Sequence, residues 1–67
     1  MKPGDLVQLS AYGVERSYNL RITQVNRKMT GLVVRVNENY SFPYQVKWVG
    51  ITEAPRHSRR ELKYARI

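Results

Sequence analysis

Not one of the 67 residues is a cysteine, and in a chain this short that absence narrows the choice of fold more than any motif does. A domain of this size buries only about 60% of the surface that its unfolded form exposes, so its core is thin. Small domains commonly add disulfides or a structural metal. Without cysteine neither a disulfide nor a thiolate metal site can form. Stability must come from an economical closed architecture or from a partner. Residues 1–67 make a single domain. No apolar run approaches the roughly 18 residues needed to span a bilayer, and no signal-peptide pattern opens the chain. A soluble protein is expected.

Hydrophobic periodicity points to strands. A Pro-Gly-Asp turn opens "KPGDLVQLS", after which Val7 and Leu9 point one way and Leu6, Gln8 and Ser10 the other. Gly13 is expected to end that strand with a positive φ. In "TGLVVRVNENY" the alternation assigns Leu32, Val34 and Val36 to one face, and Val33 and Arg35 to the other. In "SFPYQVKWVG" Tyr44, Val46 and Trp48 share a face opposite Gln45 and Lys47. That pattern makes Trp48 a core residue. Pro43 lacks a ladder donor and belongs just before the strand.

Two segments are less regular. Within 14–30, Leu20 and Ile22 alternate with Arg21 and Thr23, which predicts a short extended piece near 19–25 followed by a loop at "NRKMT". In "HSRRELKYARI", Ser58 precedes Glu61 by three residues, the spacing of a capping box. A 3₁₀ turn at about 58–61 and a strand from Leu62 follow.

About five short strands, one 3₁₀ turn before the last of them and no amphipathic helix define an all-β chain. The expected architecture is a small barrel, whose closure removes exposed edges.

The stretches "KPGDLVQLSAYG", "GLVVRV", "YQVKW" and "HSRRELKYA" together resemble the SH3-like barrels, and within them a group of small uncharacterised proteins encoded by tailed phages of marine cyanobacteria. The resemblance implies one SH3-like domain with a variable loop insertion at about 11–30. It implies no established activity, and it places the protein in host cytoplasm or virion. "GDLVQL" followed by "GLVVRV" also resembles the KOW element of ribosomal proteins and transcription factors, with residues 14–30 inserted between its halves.

Catalysis is not expected. His57 is the lone imidazole and Asp5 the lone aspartate, whereas general acid–base or nucleophilic work needs titratable groups held in pairs. The glutamates show no site-like spacing, no glycine-rich phosphate loop is present, and one histidine is too few for zinc. No cofactor and no metal are expected. His57 is expected to hydrogen-bond near the final turn, packed on the barrel rim.

Charge carries what functional signal there is. Twelve Lys and Arg against five Asp and Glu give a net +7. Residues 15–28 hold +3, from Arg16, Arg21, Arg27 and Lys28 against Glu15. Residues 54–67 hold +4, from Arg56, Arg59, Arg60, Lys63 and Arg66 against Glu61. A field of this sign favours encounters with anionic partners of any kind. The candidate partner-binding residues are drawn from these cations and the loop aromatics, with His57: Tyr12, Tyr18, Arg21, Arg27, Lys28, Tyr40, Phe42, His57, Arg59, Arg60 and Lys63. A host or virion protein is the leading partner and nucleic acid the alternative, with no membrane. A monomer or weak dimer is expected, the dimer through an extended Leu20-Arg21-Ile22.

Overall fold

The computed structural model describes residues 1–65; Arg66, counted above with the basic ending, lies outside them. Five strands form one antiparallel sheet: β1 (Leu6–Leu9), β2 (Gly31–Val36), β3 (Tyr44–Trp48), β4 (Arg56–His57) and β5 (Leu62–Tyr64), in the order β4-β3-β2-β1-β5. Each strand follows from alternation or from its turn. Pro3 and Gly4 take the central positions of the opening turn, where Gly4 has φ +98° and Asp5 N–H returns to Lys2 O at 3.1 Å. This is the position at which a side chain would be strained. Val7 and Leu9 share one face, as the alternation predicts, and that face is the buried one, while Leu6 is exposed.

The core is Val7, Leu9, Ile22, Met29, Val33, Val46, Trp48 and Leu62. Trp48 is 1% exposed and lies against Gly31, where a β-carbon would stand 2.7 Å from the indole. Val33 pairs with Val46, but the next pair is Arg35 with Gln45, so Val34 is an extra residue in the ladder. This bulge breaks the expected Leu32-Val34-Val36 face. Leu32 and Val34 are exposed on the outer side, whereas Val36 packs against the core.

Residues 11–25 depart most from expectation. They form a short helix α1 (Ala11–Val14), a 3₁₀ turn (Ser17–Asn19) and a second helix α2 (Leu20–Val25). The predicted extended piece at 19–25 is therefore helical, and the fifth strand is β4 instead. Ile22 is buried while Leu20 and Val25 are exposed; six residues suffice because Ile22 is anchored in the core, and packing rather than propensity holds a helix this short. An edge-to-edge dimer through Leu20-Arg21-Ile22 loses its basis, because that backbone is already hydrogen-bonded as helix.

Gly13 is also different from expectation. It has no positive φ and lies within α1. Its lack of a side chain serves close approach: a β-carbon there would overlap the main-chain carbonyl of Glu61. That carbonyl accepts from Ser10 N–H at 2.7 Å, and Ser10 in turn caps α1 by accepting from Gly13 N–H at 3.1 Å. The ending behaves as predicted: Ser58 and Glu61 form a capping box around a 3₁₀ turn (Arg59–Glu61), and β5 starts at Leu62.

Candidate partner-binding rim

The candidate site is built on a buried polar cluster. His57 and Glu61 are each 0% exposed and Asn19 is 2% exposed. Trp48 Nε1–H, which can only donate, reaches His57 Nε2 at 3.0 Å. A neutral imidazole must therefore carry its proton on Nδ1, and that N–H faces Glu61 Oε1 at 2.9 Å. Asn19 Nδ2 donates to the same oxygen at 3.0 Å. The other oxygen, Oε2, accepts from Ser58 N–H at 2.9 Å, the Ser58 hydroxyl at 2.8 Å and the Tyr18 hydroxyl at 3.0 Å. Burial pushes the Glu61 carboxyl up, but the Ser58 N–H, Asn19, His57 and the Ser58 hydroxyl outweigh it and hold the pKa at about 2. Burial pushes the His57 imidazole below its ordinary value, against the pull of the Glu61 carboxylate.

Tyr18 connects this cluster to the surface. Its hydroxyl is fixed on Glu61 while the residue remains 56% exposed, and its ring meets Phe42 edge-on at 5.9 Å between centroids. Phe42 and Tyr40 are presented by the turn between β2 and β3, which is closed by Asn37 N–H to Pro43 O at 2.9 Å and Tyr40 N–H to Asn37 O at 3.2 Å. The Arg56 guanidinium lies 4.2 Å from the Tyr40 ring centroid. Tyr18, Tyr40, Ser41, Phe42 and Arg56 together line an open cleft of about 520 Å³. Arg56 Nη1 is buried there without a hydrogen-bond acceptor.

A second cation–aromatic group is centred on Tyr12. Arg16 and Arg60 each hold a guanidinium 4.2 Å from the Tyr12 ring centroid. Arg59 lies 5.7 Å from the Tyr64 ring and donates to Leu62 O at 2.9 Å. Aromatics and cations that are scattered along the sequence, some exposed and some half-buried, are thus paired in space.

The other candidates fall elsewhere. His57 has no surface to offer a partner; its expected hydrogen bonding near the final turn is present, but inside the protein rather than on its rim. Arg21 is held by both carboxylate oxygens of Glu53. Arg27 and Lys28 are exposed on the turn after α2. Gln8 Nε2 donates to Lys28 O at 3.1 Å, and Gln8 is the strand partner of Lys63. Lys28 and Lys63 therefore make a separate basic region beside β1. Sequence reasoning missed Asn19, Glu61 and Arg56 as site-forming residues. The capping-box spacing pointed to Glu61, although not to its burial.

Among the described residues no cluster of three or more histidine or acidic side chains could hold a metal ion, and no helix is long and apolar enough to cross a membrane. No family model, curated protein or solved structure matches the chain.

Proposed function

We propose that this protein is a non-enzymatic SH3-like binding module that docks on a partner protein through the rim around Tyr18, Tyr40, Phe42 and Arg56. The observation carrying this reading is the cleft itself. It has three aromatic walls, and its arginine has a buried nitrogen that lacks an acceptor. Aromatic walls with a few oriented polar groups are what recognition pockets share. The barrel reading is supported by connectivity: β4 and β5 lie at opposite ends of the sheet order, yet only Ser58–Glu61 separates them in the chain. A flat five-stranded sheet would set its edges about 19 Å apart, so so short a link favours curling the edges toward each other. The non-enzymatic reading is supported by His57, whose two nitrogens are both engaged inside the protein. The resemblance to cyanobacterial phage proteins makes a host or virion protein the leading partner.

A second reading, nucleic-acid binding, is favoured by the pairing of Tyr12 with Arg16 and Arg60 and by the Lys28–Lys63 region. The two readings separate in a fluorescence-anisotropy titration with duplex DNA and single-stranded RNA at about 50 and 200 mM salt. About five phosphate contacts on duplex DNA would give a log–log salt slope of about −4 to −5. Micromolar binding that collapses with salt would overturn the protein-binding reading. It stands if nucleic acid fails to bind at low salt and a displayed peptide library yields ligands that lose affinity with Phe42→Ala.

A further inference from the structure

We infer that the cleft takes an acidic peptide segment, with one large apolar side chain seated between Tyr18, Tyr40 and Phe42 and a neighbouring carboxylate on Arg56. The inference rests on the protein-binding reading and specifies the chemistry of the partner.

Arg56 is the first reason. In the ladder it pairs with Gln45, and His57 beside it points inward. Arg56 therefore projects from the outer side of the sheet, toward the turn that carries Tyr40. No carboxylate among the described residues pairs with it, and its Nη1 is buried without an acceptor. A guanidinium resting on an aromatic ring keeps its full charge, and those of its N–H groups that face the cleft can donate to a carboxylate there.

The surroundings are the second reason. Tyr18 lines the cleft, and Arg16, two residues before it in the chain, belongs to the Arg16–Tyr12–Arg60 group. Of the carboxylates in this part of the molecule, Glu61 is buried and Glu53 is held by Arg21. Glu15 reaches Arg16 only at 4.0 Å, and Glu38 is exposed on the turn before Tyr40. Arg56 is thus a cation at the edge of an apolar slot that none of these acids neutralises. A segment with an acid beside an apolar residue complements that arrangement.

The geometry also favours a side chain over a base. Tyr12 and Tyr40 already carry guanidiniums on their rings, and Tyr18 meets Phe42 at 71°. The cleft offers no parallel pair of rings between which a base would slot. Edge-on aromatic walls suit an aromatic or aliphatic side chain.

The test uses the full chain and four labelled peptide pools, each ten residues long and randomised outside the named positions. One has a central Phe flanked by Asp and Glu; the second has the same Phe flanked by Gln; the third has the acidic flanks around Ala; the fourth has Phe with Lys flanks. A single-stranded oligonucleotide serves as competitor. The acidic Phe pool is expected to bind at least about tenfold more tightly than each of the other three. Arg56→Gln and Phe42→Ala should each remove most of that margin, and Arg56→Lys, which keeps charge but not the fork, should remove part of it. Both positions are partly exposed, so circular dichroism should show these variants folded.

Equal affinity for the acidic and Gln-flanked pools, lost with Phe42→Ala, would overturn the acidic preference and leave the cleft as a protein-binding site. Equal affinity for the acidic Phe and acidic Ala pools would reduce the interaction to charge and overturn the inference. Binding to the oligonucleotide alone, or to no probe at low salt, would overturn this inference together with the reading beneath it.

Discussion

The backbone of Gly13 lies so close to Glu61 that the glycine's missing β-carbon would overlap the Glu61 carbonyl oxygen and stand 3.0 Å from its carbonyl carbon. Helix propensity alone favours Ala over Gly here by about 1 kcal/mol. The contact opposes that preference with main-chain atoms, which cannot rotate aside. Gly13→Ala is therefore expected to destabilise the protein by more than about 2 kcal/mol, because overpacking against backbone is among the larger single-residue effects. Urea unfolding followed by Trp48 fluorescence measures this. An unchanged or raised midpoint would show that α1 moves away from the final turn without penalty.

Glu61 is the acceptor at the centre of the buried cluster, with five donor groups directed at its two oxygens. Glu61→Gln keeps the shape but turns one oxygen into a donor that faces other donors. Each buried donor left facing another donor costs about 1–3 kcal/mol, and more than one is affected here. The whole stability expected for a chain of this length is about 3–10 kcal/mol. The variant should be marginal or unfolded at 25 °C by circular dichroism, whereas Glu38→Gln on the exposed turn should stay within about 0.5 kcal/mol of the parent.

Acid should weaken the fold in two stages. Both groups have folded-state pKa values below their unfolded ones, so both contribute stability that is full at higher pH and is lost as pH falls. The His57 imidazole is held neutral by burial. The unfolded chain begins to take up its proton below about pH 6.5, and stability declines from there. Glu61 is lowered from 4.5 to about 2, so its contribution, on the order of 3 kcal/mol, disappears between those values. Urea midpoints at pH 8, 6, 5 and 3 should fall at each step below pH 6.5. A flat profile down to pH 5 would contradict the assignment for His57.

The final third of the fold was legible because its signals are local. Tyr44, Val46 and Trp48 alternate within one strand, and Ser58 and Glu61 meet across a single turn. Residues 11–25 were not legible. Leu20 and Ile22 show the same spacing in a strand as in this helix, and the arrangement is decided by the packing of Ile22 into a core built from distant strands. The burial of Glu61 was hidden for a related reason. Charged residues are almost never fully buried unless paired, and its partners Tyr18 and Asn19 come from the segment that reads as variable. The cleft depends on contacts between separate loops, such as Tyr18 with Phe42 and Tyr40 with Arg56, which no local pattern records. The bulge at Val34 was equally silent, because an added valine leaves an alternating run looking intact.

Arg56 separates binding from stability. Its guanidinium gains about 0.5–1 kcal/mol from an exposed cation–aromatic contact, here with Tyr40 at 4.2 Å. Against this stands a buried Nη1 without an acceptor, a defect that costs about 1–3 kcal/mol in an interior. The two effects oppose each other, so Arg56→Gln should leave the urea midpoint unchanged or slightly raised. A residue kept for folding would instead lower it, as Glu61→Gln is expected to do. The same variant titrated with the acidic Phe peptide pool should lose most of its affinity, and that divergence marks Arg56 as a recognition residue. A fall in stability of about 2 kcal/mol or more would make Arg56 part of the frame that holds the β2–β3 turn.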